Sequence, residues 1–287
     1  RQAVMAGIDM SMVPSDFSFA DHLIALVKEG AVPQSRIDEA VRRILRVKFE
    51  LGLFEKPGPN AALKSKFALP QYRQVSLEAA RESMTLLKNA NNILPLAKTT
   101  KVLVTGPTSD SLISLNNGWT YVWQGSEESL YPKDRHTIRK AIEAKVGASN
   151  VTFVQGTRIF RTPGTPSNNN PTDKEEEVDI AAAVRAAQNV DVIVLALGEG
   201  SYCETPGNIT DLTIGEPQIK LTEALKATGK PIVMVLVEGR PRIINRLVDS
   251  ASAILMAYNP SNEGGTAIAD VLFGDANPSG KLPFTYP

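Results

Sequence analysis

From Val190 the chain runs Val-Asp-Val-Ile-Val-Leu-Ala-Leu before it breaks at Gly198. An almost unbroken β-branched and apolar run of this length is the mark of a strand covered on both faces. Shorter runs of the same kind occupy residues 101–106, 151–154, 231–237 and 253–257. Between them, apolar positions recur at helical spacing over about 137–145, 181–188, 217–228, 243–247 and 266–273. Strands alternating with helices in this way predict an α/β fold, a doubly wound and mostly parallel sheet sandwiched by helices.

The first 54 residues have a different rhythm. A helix over 18–28 would place Ala20, Leu23, Ile24 and Val27 on one face. A stronger pattern follows, in which Ser35 and Asp38 have the spacing of a capping box and Ile37, Ala40, Val41, Ile44, Leu45 and Val47 keep helical period. Gly52 is placed to end that helix, and Arg42, Arg43 and Arg46 fall on its solvent side. Residues 55–70 carry Pro57, Gly58, Pro59, Asn60 and Pro70, the composition of a linker. A further helix is expected over about 71–88, leading into the unit that ends at residue 287. Between 158 and 173, Pro, Asn and Thr predict an exposed, mobile loop. Residues 1–7 read as the last turn of a helix running into Gly7, which suggests a chain that opens inside a larger unit.

Composition narrows the function classes. The 287 residues carry 31 basic and 31 acidic side chains, without the basic excess of a nucleic-acid binder. No apolar run reaches membrane-spanning length. Cys203 is the single cysteine, so no disulfide closes within the chain and the compartment stays open, with the periplasm or the exterior compatible. With His22 and His136 the only histidines, a histidine metal cluster is not expected. No phosphate-cradling loop, nucleophile elbow or zinc-protease motif occurs. Gly106-Pro107 reads as a tight strand-to-loop turn, not a dinucleotide fingerprint. No cofactor is expected.

Two features invite chemistry. In an open parallel sheet, ligands bind beyond the carboxyl ends of the strands, and the loop after residue 198 carries Glu199 and Glu204. Glu204, in Tyr-Cys-Glu-Thr-Pro-Gly, is the stronger candidate, since a carboxyl in a partly desolvated, aromatic-lined pocket can stay protonated and act as a general acid. The second is Gly-Trp-Thr-Tyr-Val-Trp-Gln-Gly at 118–125, which holds both tryptophans, Trp119 and Trp123. Core packing is the plain reading of a tryptophan; a flat aromatic face can also stack on a sugar ring.

Several strings resemble glycoside hydrolase family 3. Ala-Gly-Ile-Asp-Met-Ser-Met at 6–12, the helix at 36–45 and Leu-Gly-Leu-Phe at 51–54 look like the end of that family's barrel domain. Leu-Leu-Lys-Asn at 86–89 with Ile-Leu-Pro-Leu at 93–96 resembles the entry to its α/β sandwich domain. The segment from Gly264 to Pro283 is similar to its closing signature. On this resemblance, residues 1–54 are a barrel remnant, 55–70 a linker and 71–287 the sandwich domain.

The resemblance implies a retaining exo-β-glycosidase, β-glucosidase first, with β-xylosidase or a non-catalytic carbohydrate-binding or structural domain as alternatives. Glu204 takes the place of the general acid/base and Trp123 that of an aromatic wall of the aglycone subsite, with Glu199 the weaker alternative acid. Pro206 and Asn208 depart from the family's commoner Lys and Asp in that loop. A retaining enzyme needs a second carboxyl about 5–5.5 Å from the first. The family's nucleophilic aspartate belongs to a barrel strand upstream of the string at 6–12. These 287 residues are therefore expected to be inactive alone. Asp9 is a poor substitute, and its expected role is to satisfy nearby backbone donors. The implied partners are a β-linked oligosaccharide or β-glucoside and the N-terminal barrel domain, with no nucleic acid and no membrane.

Overall fold

A computed structural model describes residues 1–13, 15–162 and 172–286. Two compact units form, Arg1–Phe67 and Ala68–Pro287. In the first, α1 (Gln2–Met5), α2 (Ser18–Lys28) and α3 (Gln34–Glu50) follow one another. The expected capping box does not form. α3 starts one residue before Ser35, directly after Pro33, so the Ser35 side chain lies inside the first turn and no side chain caps the helix. Asp9 also differs from expectation, because its carboxylate takes arginine side chains rather than backbone donors. It accepts from Arg36 Nη2 at 2.8 Å and from Arg43 Nη1 at 3.2 Å. The Arg36 hydrogen bond is the main reason its carboxyl lies below the ordinary range. Arg43 thus has partners, Asp9 and Glu39, although half exposed.

The second unit is built on a six-stranded sheet. Its elements are α4 (Pro70–Ser83), β1 (Thr85–Asn89), β2 (Val102–Thr105), α5 (Leu112–Asn116), α6 (Ile138–Val146), β3 (Val151–Phe153), β4 (Thr157–Thr162), β5 (Thr172–Glu177), α7 (Ile180–Ala187), β6 (Val192–Gly198), α8 (Glu216–Lys226), β7 (Ile232–Val237), β8 (Ala253–Met256) and α9 (Gly264–Leu272). The strand order is β1-β8-β7-β6-β2-β3, parallel except for β1 against β8. This is the mostly parallel α/β fold that the apolar runs predict.

Period-two alternation divides the core into two layers. Val192, Val194 and Ala196 of β6, with Val233, Val235 and Val237 of β7, pack under α4, α6 and α9. Ile193, Leu195 and Leu197, with Ile232, Met234 and Leu236, pack under α7 and α8. Both faces of the sheet are covered, which is why these strands read as continuous apolar runs. Asp270 of α9, buried, pairs with Arg81 of α4 and Lys145 of α6 and ties that layer together.

Three expectations are corrected. The helix expected over 71–88 stops at Ser83, and residues 85–89 form β1. Leu86 packs into one layer and Leu87 into the other, a period-two choice that pairing with β8 enforces over helical propensity. Residues 158–162 are strand, not loop, since β4 and β5 form an antiparallel hairpin with Thr157 opposite Glu177. The Asn-rich 168–170 lies outside the described residues. At 243–247 there is no helix; Ile243 bridges to Thr213 in parallel.

Helix α7 offers a local check. Asp179 Oδ1 accepts from Ala182 N at 2.7 Å and caps it. Asp179→Ala is expected to cost about 1 kcal/mol, read as a lowered midpoint in urea at unchanged slope.

Candidate active site

The end of β6 is fixed before any charged side chain appears. Gly198 has φ +148°, and a Cβ there would lie 1.8 Å from the Val237 carbonyl oxygen. Only glycine permits β6 and β7 to approach so closely at this point. Gln218 of α8, wholly buried, donates to Gly198 O and accepts from Gly198 N, each at 2.9 Å. The next residue, Glu199, therefore turns under the loop instead of out to solvent.

Glu199 is buried, and its Oε1 accepts from Arg240 Nε at 2.7 Å and Arg242 Nη1 at 2.9 Å. Two guanidinium groups on one carboxylate give a charged knot of the kind that burial demands. Glu238, one residue beyond β7, lies beside it with 0 % exposure. Its Oε1 accepts from the Arg242 backbone N–H at 3.2 Å and from Tyr286 Oη at 3.4 Å. Burial, above all, pushes the Glu238 carboxyl up to about 8; the Arg242 N–H works against that, and the charge of Glu199 adds to it. Tyr202, partly buried over the same knot, is pushed up to about 12, first by burial and then by Glu199.

Glu204 is on the other side of the loop. It is exposed, not enclosed in the partly desolvated pocket the sequence suggests. Its backbone has φ +52° and ψ −155°, a conformation that a side-chain-bearing residue keeps only when its surroundings impose it. The aromatic segment supplies part of that surround. Asn117 Oδ1 accepts from Tyr202 N at 2.7 Å, and Gln124 Nε2 donates to the Cys203 carbonyl at 3.2 Å. Trp123 Nε1 donates to Glu204 Oε2 at 3.0 Å. The segment itself is a tight turn, with Trp119 N donating to Trp123 O at 2.9 Å and left-handed φ at Asn117, Trp119 and Tyr121. Neither tryptophan is core: Trp119 is 67 % and Trp123 46 % exposed.

The structure thus brings together Glu204 and Trp123, 81 positions apart, and puts Glu199 into an ion-pair knot beneath them. Behind the loop a cleft of about 300 Å³ is lined by Tyr202, Pro206, Gly207, Asn208, Arg240 and Arg242, among others. Glu204 does not line it.

A family model described as the glycosyl hydrolase family 3 C-terminal domain matches residues 84–287. The chain belongs to glycosyl hydrolase family 3. The model of the family's N-terminal domain matches residues 1–47. The chain is 45 % identical to a lysosomal beta glucosidase of Dictyostelium discoideum, over 100 % of this chain and 34 % of that protein. It is 36 % identical to a periplasmic beta-glucosidase of Salmonella typhimurium, over 100 % of this chain and 38 % of the relative. A solved beta-glucosidase from Listeria innocua in complex with glucose superposes with a TM-score of 0.81 at 30 % identity, covering 99 % of this chain and 36 % of that one. The chain therefore spans little more than a third of the length of these relatives.

In this family 3 chain, several site residues escape reading from sequence. Asn117, Arg240, Arg242 and Glu238 belong to no motif singled out above, and Gln124 falls within the aromatic segment at 118–125 without a role read for it. One signal was there to use: Glu-Gly-Arg-Pro-Arg at 238–242 directly follows the apolar run of β7. The rule that points to the loop after β6 points equally to this one. Among the described residues, no three His, Cys, Asp or Glu side chains are grouped to hold a metal ion. No helix among them is long and apolar enough to cross a membrane.

Proposed function

We propose that this chain supplies the general acid/base of a retaining exo-β-glycosidase, acting first on β-glucosides. Glu204 protonates the leaving glycosidic oxygen, then takes a proton from the water that releases the sugar. The observation that carries the reading is the 3.0 Å hydrogen bond from Trp123 to Glu204 on the exposed loop beyond β6. An indole N–H only donates, so it engages Oε2 as an acceptor and leaves the catalytic proton to Oε1. The Trp123 ring, half exposed beside it, is the aromatic wall against the aglycone. Glu199 is a poor rival, because Arg240 and Arg242 occupy its Oε1 and it is buried beneath the loop.

The nucleophilic carboxylate comes, on this reading, from outside these 287 residues, in the barrel domain of which residues 1–54 form the end. Residues 55–70 are the linker and 71–287 the sandwich domain. The partner of the chain is that barrel, and the substrate a β-linked oligosaccharide or β-glucoside.

Turnover of aryl β-glucosides and aryl β-xylosides by this chain, and by the chain joined to the complete N-terminal domain of its family, tests the reading. The joined protein is expected to release phenol faster from the glucoside, and the 287 residues alone to stay at the uncatalysed rate. Hydrolysis by the short chain would overturn the missing nucleophile. A preference for the xyloside would move the specificity, and an inactive joined protein would favour a binding or structural role.

A further inference from the structure

The left-handed backbone at Glu204 is held on one side by Asn117 and Gln124, which bond Tyr202 N and the Cys203 carbonyl, while Trp123 bonds the Glu204 side chain. A second hold reaches the loop from both flanks of Glu204. Two residues before Glu204, the Tyr202 ring lies under the Arg240 guanidinium, whose carbon is 3.6 Å from the ring centre. Three residues after it, the Gly207 carbonyl accepts from Arg240 Nη1. Arg240 is in turn fixed from below by Glu199, through Nε and Nη2 at 2.7 Å each and through its backbone N at 3.3 Å. A planar guanidinium has five N–H donors in a rigid fork and a face that stacks on an aromatic ring. Here each of those capacities is used on a different part of one loop. Gly207 completes the arrangement, since a Cβ there would lie 2.9 Å from the Tyr202 ring.

We propose that Arg240 is a positioning residue for the acid/base, clamping Tyr202 and Gly207 so that the Glu204 carboxylate is presented to Trp123 and to the leaving group. It touches no reacting atom and acts through the loop. Lysine cannot replace it: an ammonium can neutralise Glu199, but it cannot stack on Tyr202 and reach Gly207 O at once. The proposal rests on Glu204 as the acid/base, and its test separates the two.

With tryptophan labelled with ¹⁵N, the chain shows two indole N–H resonances, from Trp119 and Trp123, assigned with Trp119→Phe. The Trp123 resonance is expected to move as Glu204 titrates, and Glu204→Gln to abolish that movement. In Arg240→Lys and Arg240→Met the movement is expected to collapse toward that of Trp119, while the melting transition shows a folded protein. Should Arg240→Met not fold, Arg240→Lys, which keeps the charge beside Glu199, carries the test.

In the protein joined to the complete N-terminal domain, Arg240→Lys is expected to lower kcat on aryl glucosides with poor leaving groups by about 10- to 100-fold, as for a misplaced catalytic group. KM and the rate with activated leaving groups stay close to the parent's. A full Trp123 titration in the folded Arg240 variants, or an equal loss with good and poor leaving groups, overturns the proposal. If Glu204→Gln leaves turnover intact, the acid/base reading fails instead, and the indole titration still decides whether Arg240 places the Glu204 carboxylate.

Discussion

Glu204→Gln, in the chain joined to its complete N-terminal domain, is expected to lower turnover of aryl β-glucosides with poor leaving groups by about 10²–10⁴-fold, the usual contribution of a general acid/base. The loss should shrink as the leaving group improves, because a stable phenolate departs without a proton. Glu204→Ala should show the same pattern and regain part of its rate with azide, a small nucleophile that needs no general base in the second step. Glu199→Gln is the informative contrast. It removes a charge that two arginines share, so its first effect is on folding, read in a melting curve. Turnover that survives Glu204→Gln but not Glu199→Gln would transfer the role to the buried glutamate.

Glu238→Gln is expected to stabilise the fold, and increasingly so as pH rises. The Glu238 carboxyl lies at about 8 in the folded chain and in the ordinary carboxylate range, about 4.3, when unfolded. Between those two values the folded state keeps a proton that the unfolded state has lost, so stability falls with rising pH across the window and levels off above it. A neutral glutamine accepts from the Arg242 N–H and Tyr286 through the same oxygen and carries no such penalty. Relative to its value near pH 4, the gain should grow by on the order of 4–5 kcal/mol by pH 8. Urea titrations at several pH values measure it. Parallel stability curves for parent and variant would show that Glu238 is not the group that titrates.

The extent to which sequence discloses this molecule follows from which forces leave a local trace. β6 and β7 announce themselves because burial on both faces needs apolar side chains at every position. β1 does not, since Leu-Leu-Lys suits a helix as well as a strand and only β8, far along the chain, decides between them. β4 and β5 are held by ladder hydrogen bonds, with Thr-Asp-Lys-Glu-Glu-Glu in β5, so composition reads them as loop. At the site, Glu204 and Trp123 were legible as residue types in suggestive surroundings, while their contact depends on tertiary structure. Arg240 was legible only by its place, in the loop after the apolar run of β7; what it does there was not. Its role comes from a cation that meets a carboxylate, a carbonyl and a ring on the preceding crossover, and no spacing along the chain encodes that meeting.

The antiparallel edge also has a consequence during synthesis. Thr85 pairs with Met256, so the first strand of the sheet finds its neighbour among the described strands roughly 170 residues later, about 10–35 s of ribosome time. Through that interval Leu86 and Leu87, destined for opposite layers, have no sheet to flank. Until β8 is made, the nascent chain carries a segment whose sheet partner is missing, the type of segment that chaperones shield and that aggregates when they do not. β1 is therefore a segment open to misassembly until β8 has been made.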